Sequence, residues 1–391
     1  MMQVFFGVDR ILSQHPSWKN ESLGLITNHA ATTRDGTPAR EAMLRHGFSL
    51  QVLFSPEHGL DVKGADGAAM EDGKDWLTGL PVKSLYRQSF APDLEDLRGL
   101  DRLIFDVPDV GARFYTYLWS LTYLMEACAA AGKPLVVLDR PNPISGMLDL
   151  AEGPMLETEQ SSFIGRWPIP IRHSCTLGEL AKYFKEVYQI GVELKVIACT
   201  GWERSQFQPD WGTPFVATSP AIQQFEAMLL YPGLCLLEAT NISEGRGTEL
   251  PFMQFGAPWM DGNRVAKTLY DLSLDEVSLE PVRFTPDSGI WAGMECKGVR
   301  CYLMDTPHFQ PVFWGLMLLK VVKDLYPSDF SWASYPTLAN PTGTKHLDKL
   351  LGVPNSEALF DLSIPAFLSK ITRLTQVQEW KNNMNKYLLY S

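Results

Sequence analysis

Residues 102–138 read RLIFDVPDVGARFYTYLWSLTYLMEACAAAGKPLVVL, and this stretch decides the fold. Its ends, Arg102–Val107 and Pro134–Leu138, are short apolar runs bounded by polar or turn residues, the pattern of buried strands. Between them, Tyr117–Ala131 runs into alanine-rich sequence and stops at Gly132, a natural residue just past a helix end. Strand, helix, strand in this order predicts a βαβ unit with parallel pairing. The pattern extends both ways. Leu23–Thr27 (LGLIT) and Gln51–Phe54 (QVLF) predict two more strands, with a short helix at Arg40–His46 between them. Thr176–Tyr188 (TLGELAKYFKEVY) predicts an amphipathic helix in which Thr176 is the N-cap and Glu179, three residues on, completes a capping box. Glu193–Ala198 predicts the strand that follows. The expectation is an α/β fold built on a mostly parallel sheet flanked by helices.

Alternation weakens further along. Trp202–Pro220 is rich in Pro, Gly and Trp without a period, so the chain is expected to divide there, into residues 1–217 and a second, smaller α/β unit at 218–391. In the second unit Leu234–Ala239 and Gly298–Met304 predict strands. Gln310–Leu325 predicts a helix ended by Tyr326–Pro327, and Ile364–Tyr390 predicts one or two more. No internal repeat or low-complexity segment occurs.

With 391 residues, 45% hydrophobic and 20% charged, the chain has ordinary globular composition and length enough for two domains. A net charge of −11 argues against nucleic acid as a partner, which calls for a basic face. It leaves room for an anionic small molecule, because one Arg in a pocket outweighs a distant field. Cys128, Cys175, Cys199, Cys235, Cys296 and Cys301 form no CxxC pair and lie mostly in apolar runs, so they read as buried thiols in a reducing compartment. The opening MMQVFFGVDRILSQHP lacks a basic n-region and is broken by Asp9 and Arg10, unlike a secretory signal. No run approaches the ~18 apolar residues of a membrane span. Cytoplasmic location is the expectation.

Polar clusters follow four of the strands, where an open parallel sheet lines its ligand crevice. Asn28 and His29 follow the first. The second leads into FSPEHG (Phe54–Gly59), where Pro56 and Gly59 hold Glu57 and His58 on a stiff turn. Glu57 is a candidate general acid there, against a structural role in capping a helix or pairing with Arg113. In DVPDVGARFYTY, Asp106 lies inside the strand pattern, where an ionisable group is costly unless paired. Asp109 lies past it, and Arg113, Tyr115 and Tyr117 together suit a sugar bearing a carboxylate; core tyrosines and a solvated arginine are the plainer alternative. Asp139–Gly146 (DRPNPISG) holds Asn142 between two prolines. Asn241–Phe252 (NISEGRGTELPF) offers Glu244 and Glu249 as carboxylates and Arg246 as a cation, with glycines that let backbone approach a ligand, or it is a solvated turn. The chain lacks GxSxG, GxxxxGK[ST] and HExxH, no GxGxxG follows the first strand, and its histidines do not mark a metal site.

Read together, GLITNHA, LFSPEHG, LIFDVPDVGARFYTY, LDRPNPISG, EGP at Glu152–Pro154, FIGRWPIPIRH, TLGELAKYF, LLEATNISEGRGTELPF, GVRCYLMD and PVFWGLMLLKVVKDLYP resemble, in order, the motifs of the exo-β-N-acetylmuramidases, the NamZ-like family, over nearly the whole chain. The resemblance implies a Rossmann-like N-terminal domain, a smaller C-terminal α/β domain and a site in the cleft between them. It implies hydrolysis of a terminal non-reducing N-acetylmuramic acid from a β-1,4-linked peptidoglycan disaccharide or muropeptide, without cofactor or metal. It places the catalytic glutamate on Glu57 and a second on Glu244; from their places in the strand-end clusters, Asn28, His58, Asp109, Arg113, Tyr115, Tyr117, Asn142, Arg246 and Glu249 are expected to bind substrate. The chain departs from the family at His29, often Gln, and at Ala221, often Asn. A muropeptide-binding protein without catalysis, or a hydrolase of another acidic sugar, is the alternative.

Overall fold

The computed structural model describes residues 3–65, 67–86, 90–272, 274, 276–337 and 340–391. In chain order it forms α1 (Gly7–Gln14), β1 (Leu23–Thr27), α2 (Ala39–Arg45), β2 (Leu50–Ser55), β3 (Gly73–Lys74), β4 (Pro81–Ser84), β5 (Arg102–Asp106), α3 (Tyr117–Ala131), β6 (Leu135–Leu138), α4 (Leu177–Val187) and β7 (Leu194–Ile197). The second half contributes α5 (Phe225–Leu234), β8 (Gln254–Ala257), α6 (Gly262–Asp271), β9 (Val277–Phe284), β10 (Cys296–Leu303), α7 (Pro311–Leu325), α8 (His346–Leu351), α9 (Ile364–Thr375) and α10 (Gln378–Met384).

The first sheet has seven strands in the order β3-β4-β2-β1-β5-β6-β7, parallel throughout except for the two-residue edge strand β3. Helices flank it. The expected βαβ unit is present, with β5 and β6 parallel on either side of α3 and Gly132 in the left-handed conformation that ends the helix. Thr176 caps α4, and Glu179 returns the bond to the Thr176 N–H, as the capping box predicts. Strand order reverses direction between β1 and β5, the switch point beside which ligand crevices form in such sheets. Asp106 is paired as its burial demands: Arg140 reaches it with Nε–Oδ1 2.6 Å and Nη2–Oδ2 3.0 Å.

The smaller sheet is antiparallel, in the order β8-β10-β9. The predicted strand at Gly298–Met304 falls in β10 and the predicted helix at Gln310–Leu325 in α7. The strand expected at Leu234–Ala239 is not one. Those residues end α5 and continue as a 3-10 turn, Cys235–Ala239. The run AMLLYPGLCLL is buried on all sides, so apolar residues recur without a period, and such a run does not distinguish a strand from a core helix. Glycines let α5 and α7 cross closely: a Cβ on Gly233 would lie 2.1 Å from the Pro311 carbonyl oxygen.

One hydrophobic core spans both sheets. The C-terminus returns to the first of them. The Trp380 Nε1–H donates to the His173 carbonyl (2.9 Å), the Leu389 N–H to Glu179 Oε1 (3.0 Å) and the Tyr390 hydroxyl to Asp139 Oδ2 (2.5 Å). The Ser391 carbonyl oxygen accepts from the Arg204 N–H (3.2 Å). All six cysteines are buried and carry no disulfide. Among the described residues no helix is long and apolar enough to cross a membrane.

Candidate active site

The turn after β2 is tight. Gly59 N–H donates to the Pro56 carbonyl (3.1 Å), and His58 and Gly59 take left-handed φ values of 67° and 74°. His58 Nδ1 sits 2.8 Å from the Gly64 carbonyl, which fixes its ring. The turn points Glu57 inward, 7% exposed. Its Oε1 accepts from the Gly67 N–H (2.7 Å) and its Oε2 from the Thr116 hydroxyl (2.5 Å), one residue before α3. A threonine hydroxyl both donates and accepts, so this contact serves Glu57 as carboxylate and, with the hydroxyl turned, as carboxylic acid.

Glu57 lines a cleft to which both halves of the chain contribute. One wall is aromatic: Tyr115, Tyr231 and Phe252 meet edge to face, with centroids 5.9 Å apart for the first pair and 4.8 Å for the second. Tyr86 and Phe163, 5.3 Å apart, form a second aromatic surface. The second half of the chain contributes Glu238, Arg246, His346 and Lys349 to the lining.

Glu238 was missed in sequence because it fell inside the strand expected at Leu234–Ala239; the 3-10 turn instead aims it at the cleft. Arg246 Nη1 donates to Glu238 Oε1 (2.7 Å), and His346 Nε2–H to Glu238 Oε2 (3.2 Å). Burial alone would raise this carboxyl; the Arg246 charge and the His346 ring overcome it and hold Glu238 at about 2. It is therefore ionised at neutral pH. Glu244 takes the same Arg246 Nη1 at 2.7 Å but does not line the cleft, and burial, opposed by Arg246 and reinforced by Glu238, leaves its carboxyl raised. Gly245 and Gly247, with φ of 88° and 75°, make the turn that delivers Arg246, whose guanidinium lies 4.6 Å over the Phe252 ring.

The expected site residues thus separate. Glu57, His58, Tyr115 and Arg246 share the cleft, with Glu244 one step behind Arg246. Tyr117 is buried with its hydroxyl donating to the Thr218 carbonyl (2.8 Å), and Asn28 is buried beside it, its Oδ1 held by the Ala30 N–H (3.1 Å). Neither lines the cleft. Asp109 lines a different cavity, which Thr218 also lines, and its Oδ2 accepts from Gly111 N–H (2.9 Å) and His173 Nε2 (3.2 Å). Asn142 spends its amide on the Cys175 carbonyl and the Ile144 N–H, both at 3.0 Å, and so acts as a turn brace. Glu249 is exposed and outside the cleft.

Arg113 corrects the sequence expectation most sharply. It is fully buried, donating from Nη1 to the Pro154 and Ile169 carbonyls (2.7 and 2.8 Å) and from Nη2 to the Leu350 carbonyl (2.8 Å). Burial without a carboxylate partner pushes its guanidinium down to about 9. It staples three chain segments and does not reach the cleft. Of the two departures from the family pattern, Ala221 lines the cleft and His29 does not.

The comparisons with known proteins agree with this architecture. A family model described as exo-beta-N-acetylmuramidase NamZ, N-terminal, matches residues 23–226, and its C-terminal counterpart matches residues 229–390. The chain belongs to the NamZ family. The peptidoglycan beta-N-acetylmuramidase NamZ of Bacillus subtilis (strain 168) is 37% identical over 390 residues, which are 98% of this chain and 91% of that protein. Two crystal structures of DUF1343 family proteins from Bacteroides fragilis NCTC 9343 share the fold across 100% of this chain, with TM-scores of 0.87 and 0.74 and 26% identity each, covering 100% and 99% of their own chains. Family membership makes the chain a glycoside hydrolase of the muramidase kind.

Proposed function

We propose that this protein is an exo-β-N-acetylmuramidase that releases terminal non-reducing N-acetylmuramic acid from β-1,4-linked peptidoglycan fragments, with Glu57 as general acid. The observation that carries the reading is that Glu57 and Glu238 line one cleft in a chain of the NamZ family. In this reading Glu57 protonates the glycosidic oxygen as the bond to the anomeric carbon breaks, and water then gives its hydroxyl to that carbon and its proton back to the acid. The ionised Glu238 faces the positive charge that builds on the sugar ring, and Arg246 and His346 keep it charged and oriented. Glu238 takes the role expected for Glu244, which stands behind Arg246, while Asp109 belongs to the neighbouring cavity. Tyr115 and Tyr231 cover the sugar face. The expected units 1–217 and 218–391 divide the work, the first bringing the acid and the second the charged wall. Six buried thiols without a disulfide support work in a reducing compartment, the cytoplasm, on imported wall fragments.

The test is release of a chromophore from a β-N-acetylmuramide beside the matching β-N-acetylglucosaminide. Turnover of the muramide with little turnover of the glucosaminide is expected. No turnover of either by folded protein would overturn the proposal. Glu238→Gln is expected to lower kcat roughly 10²-fold or more, and Glu244→Gln far less; equal losses would remove the distinction drawn between them.

A further inference from the structure

Among the described residues the cleft is lined by two permanent cations, Arg246 and Lys349. They are in opposite circumstances. The same Nη1 of Arg246 lies 2.7 Å from Glu238 Oε1 and 2.7 Å from Glu244 Oε1, so its charge is already met by two carboxylates. A third carboxylate on that guanidinium would be repelled by both. The other candidate named from sequence, Arg113, is locked on three carbonyls away from the cleft. Lys349 has no ion pair with another described residue and is half-buried at the cleft wall.

Its position follows from α8. His346 and Lys349 are three residues apart on this helix and therefore share a face, with their Cβ atoms roughly 5–6 Å from each other. His346 faces Glu238 at 3.2 Å, so Lys349 stands one turn along from the ionised carboxylate. Glu238 brings a negative charge to this wall, and Lys349 is the cation left over for a ligand's charge. An ammonium on a flexible stem, partly solvated, pays little to meet a carboxylate that arrives with the substrate.

We propose that Lys349 receives the carboxylate of the lactyl ether on N-acetylmuramic acid and so sets the preference for muramic acid over glucosamine. This rests on the reading that the cleft binds a muramic acid residue. The full-length protein is compared with Lys349→Gln, Lys349→Arg and Arg246→Gln on three chromogenic substrates: the β-N-acetylmuramide, the same compound with its lactyl carboxylate converted to a methylamide, and the β-N-acetylglucosaminide. Loss of a charged hydrogen bond predicts a fall of roughly tenfold to hundredfold in kcat/KM for the carboxylate substrate in Lys349→Gln, carried mainly by KM. The ratio of carboxylate to methylamide substrate collapses toward one, and Lys349→Arg restores most of it. A structural role for Lys349 would lower both substrates alike and leave the ratio unchanged, which overturns the proposal. Collapse of the ratio in Arg246→Gln but not in Lys349→Gln overturns it as well. If native protein hydrolyses no muramide, it is the functional reading that falls. Calorimetric binding of free N-acetylmuramic acid and N-acetylglucosamine then decides Lys349 by itself: selective weakening of the acid in Lys349→Gln supports it, and equal affinities in native and variant sink it.

Discussion

Glu57→Gln is expected to abolish measurable turnover of the muramide, a fall of about 10³-fold or more, within the range set by loss of a positioned proton donor. The amide keeps the size of the side chain, and its oxygen can still accept from the Gly67 N–H that now meets Oε1 at 2.7 Å. It has no proton to give. Substrate binding should therefore survive while chemistry stops, so KM or a measured Kd stays within a few-fold and kcat collapses. Thr116→Val gives a graded companion, because it removes the hydroxyl now 2.5 Å from Glu57 Oε2 without touching the acid itself. Retained turnover in Glu57→Gln would move the acid elsewhere in the cleft.

The second large effect lies outside the chemistry. Arg113→Ala is expected to destabilise the protein by at least about 4 kcal/mol, the range of exceptional single substitutions. The buried carbonyls of Pro154 and Leu350 would lose their donor, while that of Ile169 keeps the Leu156 N–H (3.2 Å), and each orphaned group costs roughly 1–3 kcal/mol. Removal of a fully buried side chain adds a cavity. Arg113→Lys should recover only part, since an ammonium donates from one point and cannot reach in the forked geometry of a guanidinium. Thermal unfolding and KM separate this from a binding role. A melting point lowered on the order of 10 °C, with KM little changed in whatever remains folded, is the expected result. The opposite pattern would return Arg113 to the substrate.

Arg113 also shows where sequence reading reaches and where it stops. The motif GARFYTY announces an arginine between glycine and aromatic residues, and nothing in its chemistry tells a ligand carboxylate from three backbone carbonyls. Both are oxygen acceptors. The carbonyls come from residues 154, 169 and 350, which only the finished fold assembles. Local signals fared better. Helix α3 begins and ends where its pattern and Gly132 say, and the Thr176–Glu179 box needs only its own four residues. Glu57 was legible because the turn that aims it is written in Pro56 and Gly59 beside it. Glu238 was not, because its direction depends on whether LLEA is strand or helix, and a run buried on every side leaves no periodicity to decide that.

The docking of the last residues onto the first sheet bears on how the molecule is made. Asp139 and Glu179, in the first half of the chain, receive Tyr390 and Leu389 as partners, and the Arg204 N–H gives its bond to Ser391. During synthesis these groups emerge long before their partners do. The N-terminal half therefore stays incompletely sealed until residues 389–391 have been made. Loss of residues 389–391 would strike the oldest part of the fold as hard as the newest.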